Sequence, residues 1–586
     1  MTTAFCTEIV PDWSNRSGKE RKIRMKRRFI PTIIAIVLIV IIGLFALAWK
    51  VIRQYSYSDE QQDMNEYYSI SQENDVAIVL QDELIETKAK LLDGTYYLDF
   101  SSVQELLNDR FYWDFNENLL IYTTPTQIIT STIGTTEYDV SGQQNTMAYQ
   151  IARMEGDTLY VALDYVKLYT NFSYEAFTEP DRIQMDTKWG ERSVASVSKN
   201  TNVRKKGGVK SPILRPVTEG EEVTVLEKMD KWTKVKTQDA VIGYIENKLL
   251  SGESTVEEIP VTDYVQPEYT SQRRDHKINL AWHQVMGQAA NEAIGEVTDG
   301  TGSLNVISPT WFSLSDENGA ITSLASSTYV NSAHAKNMEV WALVDNFSDE
   351  VNTTNVLSFT SKRGTLINNL ISQCTANGID GINVDFEELS YDAGEHFTEF
   401  LRELSIACRA NNLVLSVDNY VPRESTTHYN RKEQGVVADY VIIMGYDEHW
   451  GGGGIAGSVA SIGFVEDGIK KTLEEVPAEK VINAIPFYTR IWATKNEEVT
   501  SEAVGMEAAQ SFLTSKGMTA AWDETTCQNY AEAQIDDTFY QVWLEDQQSI
   551  ETKLTIMKQY ELAGVAEWKL GFETSSIWGT IDSFVK

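Results

Sequence analysis

Residues 380–388 read Asp380-Gly381-Ile382-Asn383-Val384-Asp385-Phe386-Glu387-Glu388, and the fold is decided here. Side chains two apart on a strand share a face, so Asn383, Asp385 and Glu387 line one side. Val384 and Phe386 point the other way, toward a hydrophobic cover. Two carboxyl groups this close, at the end of an otherwise apolar run, cannot both ionise freely. One pKa must rise, which yields a protonated acid near neutral pH. Glu388 lies beyond the alternation and reads as an ordinary loop acid.

Seven more apolar runs flank this one across residues 276–586: KINLAW, LNVISPTWF, MEVWALV, LVLSVDNY, YVIIMGYD, VINAIPFY and GVAEWKL. Each is followed by sequence of helical length. Eight such units predict a (β/α)8 barrel, and the Val/Ile/Leu-rich runs fit parallel strands covered on both faces. Polar residues at the C-terminal ends of such strands surround the active site.

The chain has 586 residues, 85 Asp+Glu against 50 Lys+Arg, and a net charge of −35. That length suggests several domains. Hydrophobic content of 42% excludes a disordered polyelectrolyte, and the acidity excludes a nucleic-acid backbone as partner. The four Cys form neither a disulfide framework nor a C-x-x-C zinc pattern, so no metal and no cofactor are expected.

The charge reverses at the front. Residues 1–28 carry eight Lys/Arg against three Asp/Glu and read as a basic cytoplasmic tail; residues 54–586 then hold a net −42 once Lys50 and Arg53 are counted. Residues 29–49 (FIPTIIAIVLIVIIGLFALAW) contain no charge. At about 1.5 Å per residue they span roughly 31 Å, enough for a transmembrane helix. The basic side stays inside, which puts the C-terminal domains outside the cell. A cleaved signal peptide ending near Ala46-Leu47-Ala48 is the alternative, although the apolar run exceeds the length typical of one.

Residues 50–75 lack apolar periodicity and read as a stalk. Residues 76–188 form a small α+β domain with a weak internal repeat: Tyr97-Leu98, Phe100 and Val103 recur as Tyr160-Val161, Leu163 and Val166. It resembles the N-terminal domain of copper amine oxidases, without a cluster of His ligands, which implies a structural or glycan-contacting spacer. Residues 194–250 change to short β-type runs separated by Gly207-Gly208, Glu219-Gly220 and Gln238-Asp239 turns. With Trp232 and Ile242-Gly243-Tyr244-Ile245, this segment resembles a bacterial SH3-like barrel, and the resemblance implies a cell-wall ligand. Residues 251–275 read as a linker.

The acidic strand resembles the D-G-x-D-x-D-x-E signature of glycoside hydrolase family 18, the chitinase-type hydrolases. Asp380, Gly381, Asp385 and Glu387 match, Phe386 stands where Trp is frequent, and Asn383 replaces the middle Asp. Met444-Gly445-Tyr446-Asp447, Tyr488 with Arg490, and Trp568 are also similar to family motifs. The resemblance implies substrate-assisted, retaining hydrolysis. Glu387 would be the general acid and then base, Asp385 would hold the acetamido N–H, and Tyr446 the acetamido oxygen. Trp568 would floor the subsite, with Met444, Asp447, Tyr488, Arg490 and Asn383 also binding substrate; Asp380 and Gly381 belong to the structural motif.

The strand looks most like the cell-wall and spore-cortex-lytic subgroup. That implies a membrane-anchored, extracellular enzyme cleaving β-1,4 bonds of N-acetylglucosamine-containing peptidoglycan. A chitinase or chitooligosaccharide hydrolase, and a non-catalytic lectin on the same barrel, are the alternatives. Trp282, Trp311, Trp341, Trp450 and Trp492 lie near strand ends and could stack on sugar or pack in the core. Gly451–Gly454 reads as a flexible loop, and Cys374 and Cys408 as buried small residues.

Overall fold

The computed structural model describes residues 19–260 and 262–586. Residues 1–18 of the expected basic tail lie outside the described residues. The chain forms two compact units: residues up to Tyr96 with Asn171–Asp263, and Tyr97–Thr170 with Tyr264–Lys586. The segment 76–188, read from sequence as one domain, is divided between them.

In the first unit, the helix Lys19–Tyr55 includes the stretch Ile30–Tyr55, whose most apolar 18-residue window has a mean hydropathy of 3.1, long and apolar enough to cross a membrane. A seven-stranded sheet runs from Glu191–Val197 to Leu250–Glu257 around Val203, Val223, Val235 and Ile245. Its last strand thus takes the beginning of the segment read as a linker. Within the expected stalk, Met64–Tyr68 is a short helix capped by Asp63, and the Tyr67 and Tyr68 hydroxyls donate to the Ile242 and Ala240 carbonyls. This segment is packed because its two Tyr rings reach the sheet; five residues are too few to show a helical period.

In the second unit, eight parallel strands close a barrel: β1 Ile278–His283, β2 Val306–Leu314, β3 Glu339–Asp345, β4 Gly381–Asp385, β5 Val414–Tyr420, β6 Tyr440–Met444, β7 Val481–Pro486 and β8 Gly564–Trp568. Pairing of β1 with both β2 and β8 completes the ring. The interior is packed with Ile278, Leu280, Trp282, Trp341, Leu343 and Ile442. On β4, Ile382, Val384 and Phe386 face outward, and Phe386 stacks on Phe400 of the helix Gly394–Ala410 at 5.7 Å between centroids. Gly381 is required by close approach: a Cβ there would meet the Trp341 ring at 2.8 Å and the Val414 carbonyl at 2.9 Å.

Cys374 and Cys408 are buried in barrel helices. Trp282, Trp311, Trp341 and Trp492 are buried, so their rings belong to the core, whereas Trp450 is exposed. Between β7 and β8 the chain inserts a five-stranded antiparallel sheet, from Tyr488–Lys495 to Thr538–Leu544, with a core of Ile491, Leu513 and Val542.

Residues 97–170 pack on this barrel. The two copies of the repeat meet as antiparallel strands, Leu98 opposite Val161. A meander of five strands, Phe111–Asp114 to Gln143–Thr146, follows the first copy. Its first two strands carry polar groups into the barrel helices. Arg363 and Glu403 form a buried pair at 2.8 Å, and the Tyr112 hydroxyl accepts from Arg363 at 3.1 Å. Arg402 pairs with Glu399 and Glu433, and Arg110 joins the same Glu433. The helix Thr360–Asn377 begins after Phe359, which has no oxygen to cap it. Asp114 does so from a distant strand, accepting from the Thr360 N–H at 2.7 Å and its hydroxyl at 2.6 Å.

Replacing Asp114 by Ala therefore removes a helix cap and one docking contact together. We expect a stability loss of about 1–2 kcal/mol in urea unfolding, with most of it recovered by Asp114→Asn.

Candidate active site

The carboxyl groups gather at the C-terminal mouth of the barrel because inward positions on β3, β4 and β5 all end in acids. Asp345 and Asp385 are register partners on adjacent strands. Asp418 lies on β5, and Glu387 follows two residues after β4 ends. Burial pushes Asp385 well above the usual carboxylate range, and Asp418, Glu387 and Asp345 push in the same direction. One Asp385 carboxylate oxygen is buried without a hydrogen-bond partner. Asp418 is likewise raised well above its ordinary value, chiefly by burial, and the amide of Asn383 beside it acts in the opposite sense.

Asn383 is buried at the centre of a satisfied network. Its carbonyl oxygen accepts from Trp282 Nε1 at 2.9 Å and Ser308 Oγ at 3.2 Å. Its amide nitrogen donates to Asp418 Oδ1 at 2.8 Å and Ser416 Oγ at 3.1 Å. All four of its hydrogen-bonding valences are used. An ionised Asp here could not donate, a protonated one could donate only once, and either would place another carboxyl beside Asp418.

Glu387 is partly exposed, its pKa raised by burial, with Asp447 and Glu388 adding to the rise and the Tyr420 hydroxyl opposing it. Asn346 clamps its backbone from both sides: Oδ1 accepts from the Glu387 N–H at 2.8 Å, and Nδ2 donates to the Glu387 carbonyl at 2.9 Å. Glu387 lines a cleft of about 620 Å³ together with Asn346, Phe347 and Ser390. The neighbouring Glu388 (φ 52°) and Asp447 (φ 57°) are non-glycine residues held in the left-handed region.

Tyr446 and Trp568 are half-buried, packed on the inner core at the mouth. Trp568 meets Trp282 with ring centroids 5.9 Å apart, and Tyr446 meets Tyr488 edge-on at 6.2 Å. Burial and the acids around it, Asp385 foremost, raise the Tyr446 phenol well above its usual range, so it stays a donor. The Tyr488 hydroxyl donates to Asp447 at 2.5 Å. Met444 ends β6 in register with Tyr420. Such a group can hold a protonated carboxyl and a phenol against a flat ligand over an aromatic floor.

Other residues from the sequence motifs lie elsewhere. Asp380 is at the opposite end of β4, bound by His334 Nε2 at 2.8 Å and the Val340 N–H at 2.8 Å. Arg490 is in the inserted sheet, donating to Ser501 at 3.1 Å under the Gly451 loop.

Four contributors were missed from sequence: Asp345, Asn346, Asp418 and Tyr420. Only Asp418 had a visible signal, the alternation Ser416-Val417-Asp418-Asn419-Tyr420 at a strand end. Asn383→Ala should leave Trp282 Nε1 and Asp418 without their shared partner. A loss of roughly 2–4 kcal/mol is expected by denaturant unfolding, since each buried orphan costs about 1–3 kcal/mol.

Residues 290–573 match the family model for glycosyl hydrolases family 18, and residues 199–251 match that for the bacterial SH3 domain. The chain is similar to uncharacterized glycosylase YvbX of Bacillus subtilis (strain 168), 26% identical over 318 residues that cover 50% of this chain and 91% of that protein. It is 28% identical over 243 residues to the cortical fragment-lytic enzyme of the same organism, covering 40% of this chain and 56% of the relative, about half its length. The solved spore cortex-lytic enzyme SleL of Bacillus cereus is 21% identical, with a TM-score of 0.49, covering 56% of this chain and 79% of that one. The chain therefore carries a family 18 glycosyl hydrolase domain on its (β/α)8 barrel and a bacterial SH3 domain ahead of it.

Proposed function

We propose that the barrel hydrolyses the β-1,4 bond after a 2-acetamido sugar in cell-wall glycan of the peptidoglycan type, by substrate-assisted retention. The observation that carries this reading is the placement of Glu387 at the barrel mouth, two residues from the buried Asp385, where burial favours a protonated carboxyl. Protonated Glu387 gives its proton to the glycosidic oxygen as that bond to the anomeric carbon breaks. The acetamido oxygen of the same sugar forms the new bond to that carbon, giving an oxazolinium ion. Asp385 accepts from the acetamido N–H and orients it, and Tyr446 donates to the acetamido oxygen. Glu387, now ionised, takes a proton from water as the water attacks and the ring reopens.

The name of the cortical fragment-lytic relative supports a cell-wall substrate. In this reading the helix over Ile30–Tyr55 anchors the chain with its N-terminus cytoplasmic and its domains outside, and the SH3 domain takes a wall ligand. The acidic exterior offers no long-range attraction to anionic wall polymers, so affinity rests on aromatic stacking and acetamido hydrogen bonds.

Full-length protein in detergent, given purified peptidoglycan and chitin oligomers, should release reducing ends. Glu387→Gln should slow release by about 10²–10⁴-fold; undiminished release would sink the assigned acid. Thiazoline derived from N-acetylglucosamine should inhibit competitively. Tyr420→Phe supplies a pH test. Its hydroxyl favours ionised Glu387, so removing it raises the pKa further. The acid must be protonated to act, and activity falls as pH rises through that pKa. The alkaline limb of kcat/KM should therefore move to higher pH in Tyr420→Phe.

A further inference from the structure

Beside the Glu387 cleft lies a second cavity of about 940 Å³, walled by residues 97–170 on one side and barrel helices on the other. The two spaces adjoin at Thr354, which lines both. The wall is also tied to the acid's own loop: His428 shares a 2.9 Å hydrogen bond with the Leu389 carbonyl, two residues after Glu387. We infer that residues 97–170 extend the cleft, binding uncharged N-acetylglucosamine units of the glycan strand beyond the cleaved bond.

Three observations support this occupant. Phe115 is 61% and Tyr391 76% exposed, one from each wall, leaving large rings bare in a concave site. Apolar ring faces beside Asn116, Asn355 and Asn430 suit a sugar, which has apolar faces and a polar rim. Trp113, packed edge-on against Phe100 at 5.9 Å, lines the same cavity and adds a third large ring to it.

Charge narrows the ligand. Asp109, Asp392 and Glu395 line the space, while its cation, Arg402, is already engaged by Glu399 and Glu433. An anionic polymer is disfavoured and a neutral strand is not. The walls are preorganised, since Asp114, Tyr112 and Arg363 bind the two sides together before any ligand arrives. The inference rests on the proposed glycosidase reading only for the identity of the strand.

The test separates the two claims by measuring binding rather than hydrolysis. Full-length Glu387→Gln protein in detergent would be titrated calorimetrically with the dimer and the hexamer of β-1,4-linked N-acetylglucosamine. Adding Phe115→Ala with Tyr391→Ala should weaken the hexamer at least fivefold and leave the dimer unchanged. An unchanged hexamer overturns the extension, and so does an equal loss for both lengths, which would report a general disturbance. If the Glu387→Gln protein binds neither oligomer, the glycan reading of the barrel falls instead. Tetralysine, the probe for a cationic peptide drawn by the three acids, should give no heat. Binding of it that the double substitution abolishes would reassign the groove to peptide and overturn the inference.

Discussion

Everything at the mouth of this barrel depends on burying several carboxyl groups together. The charges that act on Asp385 all come from other acids, Asp418, Glu387 and Asp345. Without a cation to compensate, protonation is the cheaper state, and the cluster holds protons at a pH where exposed carboxyls have lost them. A proton held there is what an acid catalyst needs. The surrounding polar groups are arranged accordingly. Asn346 fixes the Glu387 backbone, Tyr420 moderates its pKa, and Asn383 satisfies Asp418.

A second dependence lies away from the chemistry. Residues 97–170 are joined to the barrel where Tyr112 meets Arg363 and Arg110 meets Glu433, on the barrel's own pairs Arg363–Glu403 and Arg402 with Glu399 and Glu433, which have little access to solvent. Breaking one member of such a pair costs about 3–5 kcal/mol, because the other charge stays buried. The ions add little net stability over an apolar contact, but they tolerate only one arrangement. They fix which surface of the small sheet faces the helices after β3 and β4, and therefore what stands beside the cleft.

Much of this was legible in the chain. The eight apolar runs became the eight strands because parallel strands covered on both faces must be apolar throughout, and few other architectures ask for that. The alternation at Asn383, Asp385 and Glu387 identified the inward face of β4 from local geometry alone. Asn346 and Asp345 were not legible, since each acts across strands and looks like an ordinary loop or strand-end residue in its own context. The Trp residues near strand ends were ambiguous for a different reason. Position gives no sign of whether a ring faces the packed interior or the mouth, and most proved to be interior. The docking of residues 97–170 was invisible because Arg110, Tyr112 and Asp114 alternate with apolar neighbours as any half-exposed strand would.

The departure at Asn383 is best understood from its neighbours. In the family pattern this place is an Asp, but here β5 contributes Asp418 to the same interior. A carboxyl at 383 would face Asp418 directly and could donate to only one of Asp418 and Ser416, and only when protonated. The amide accepts from Trp282 and Ser308 as a carboxylate would, and donates to Asp418 and Ser416 as a carboxylate could not. Asn383 thus connects the acid on β5 to the indole and hydroxyl groups around it. Asp385 therefore still has a buried acid next to it, and that acid is within reach of its charge. The crowding that raises its pKa is therefore present with an amide at 383.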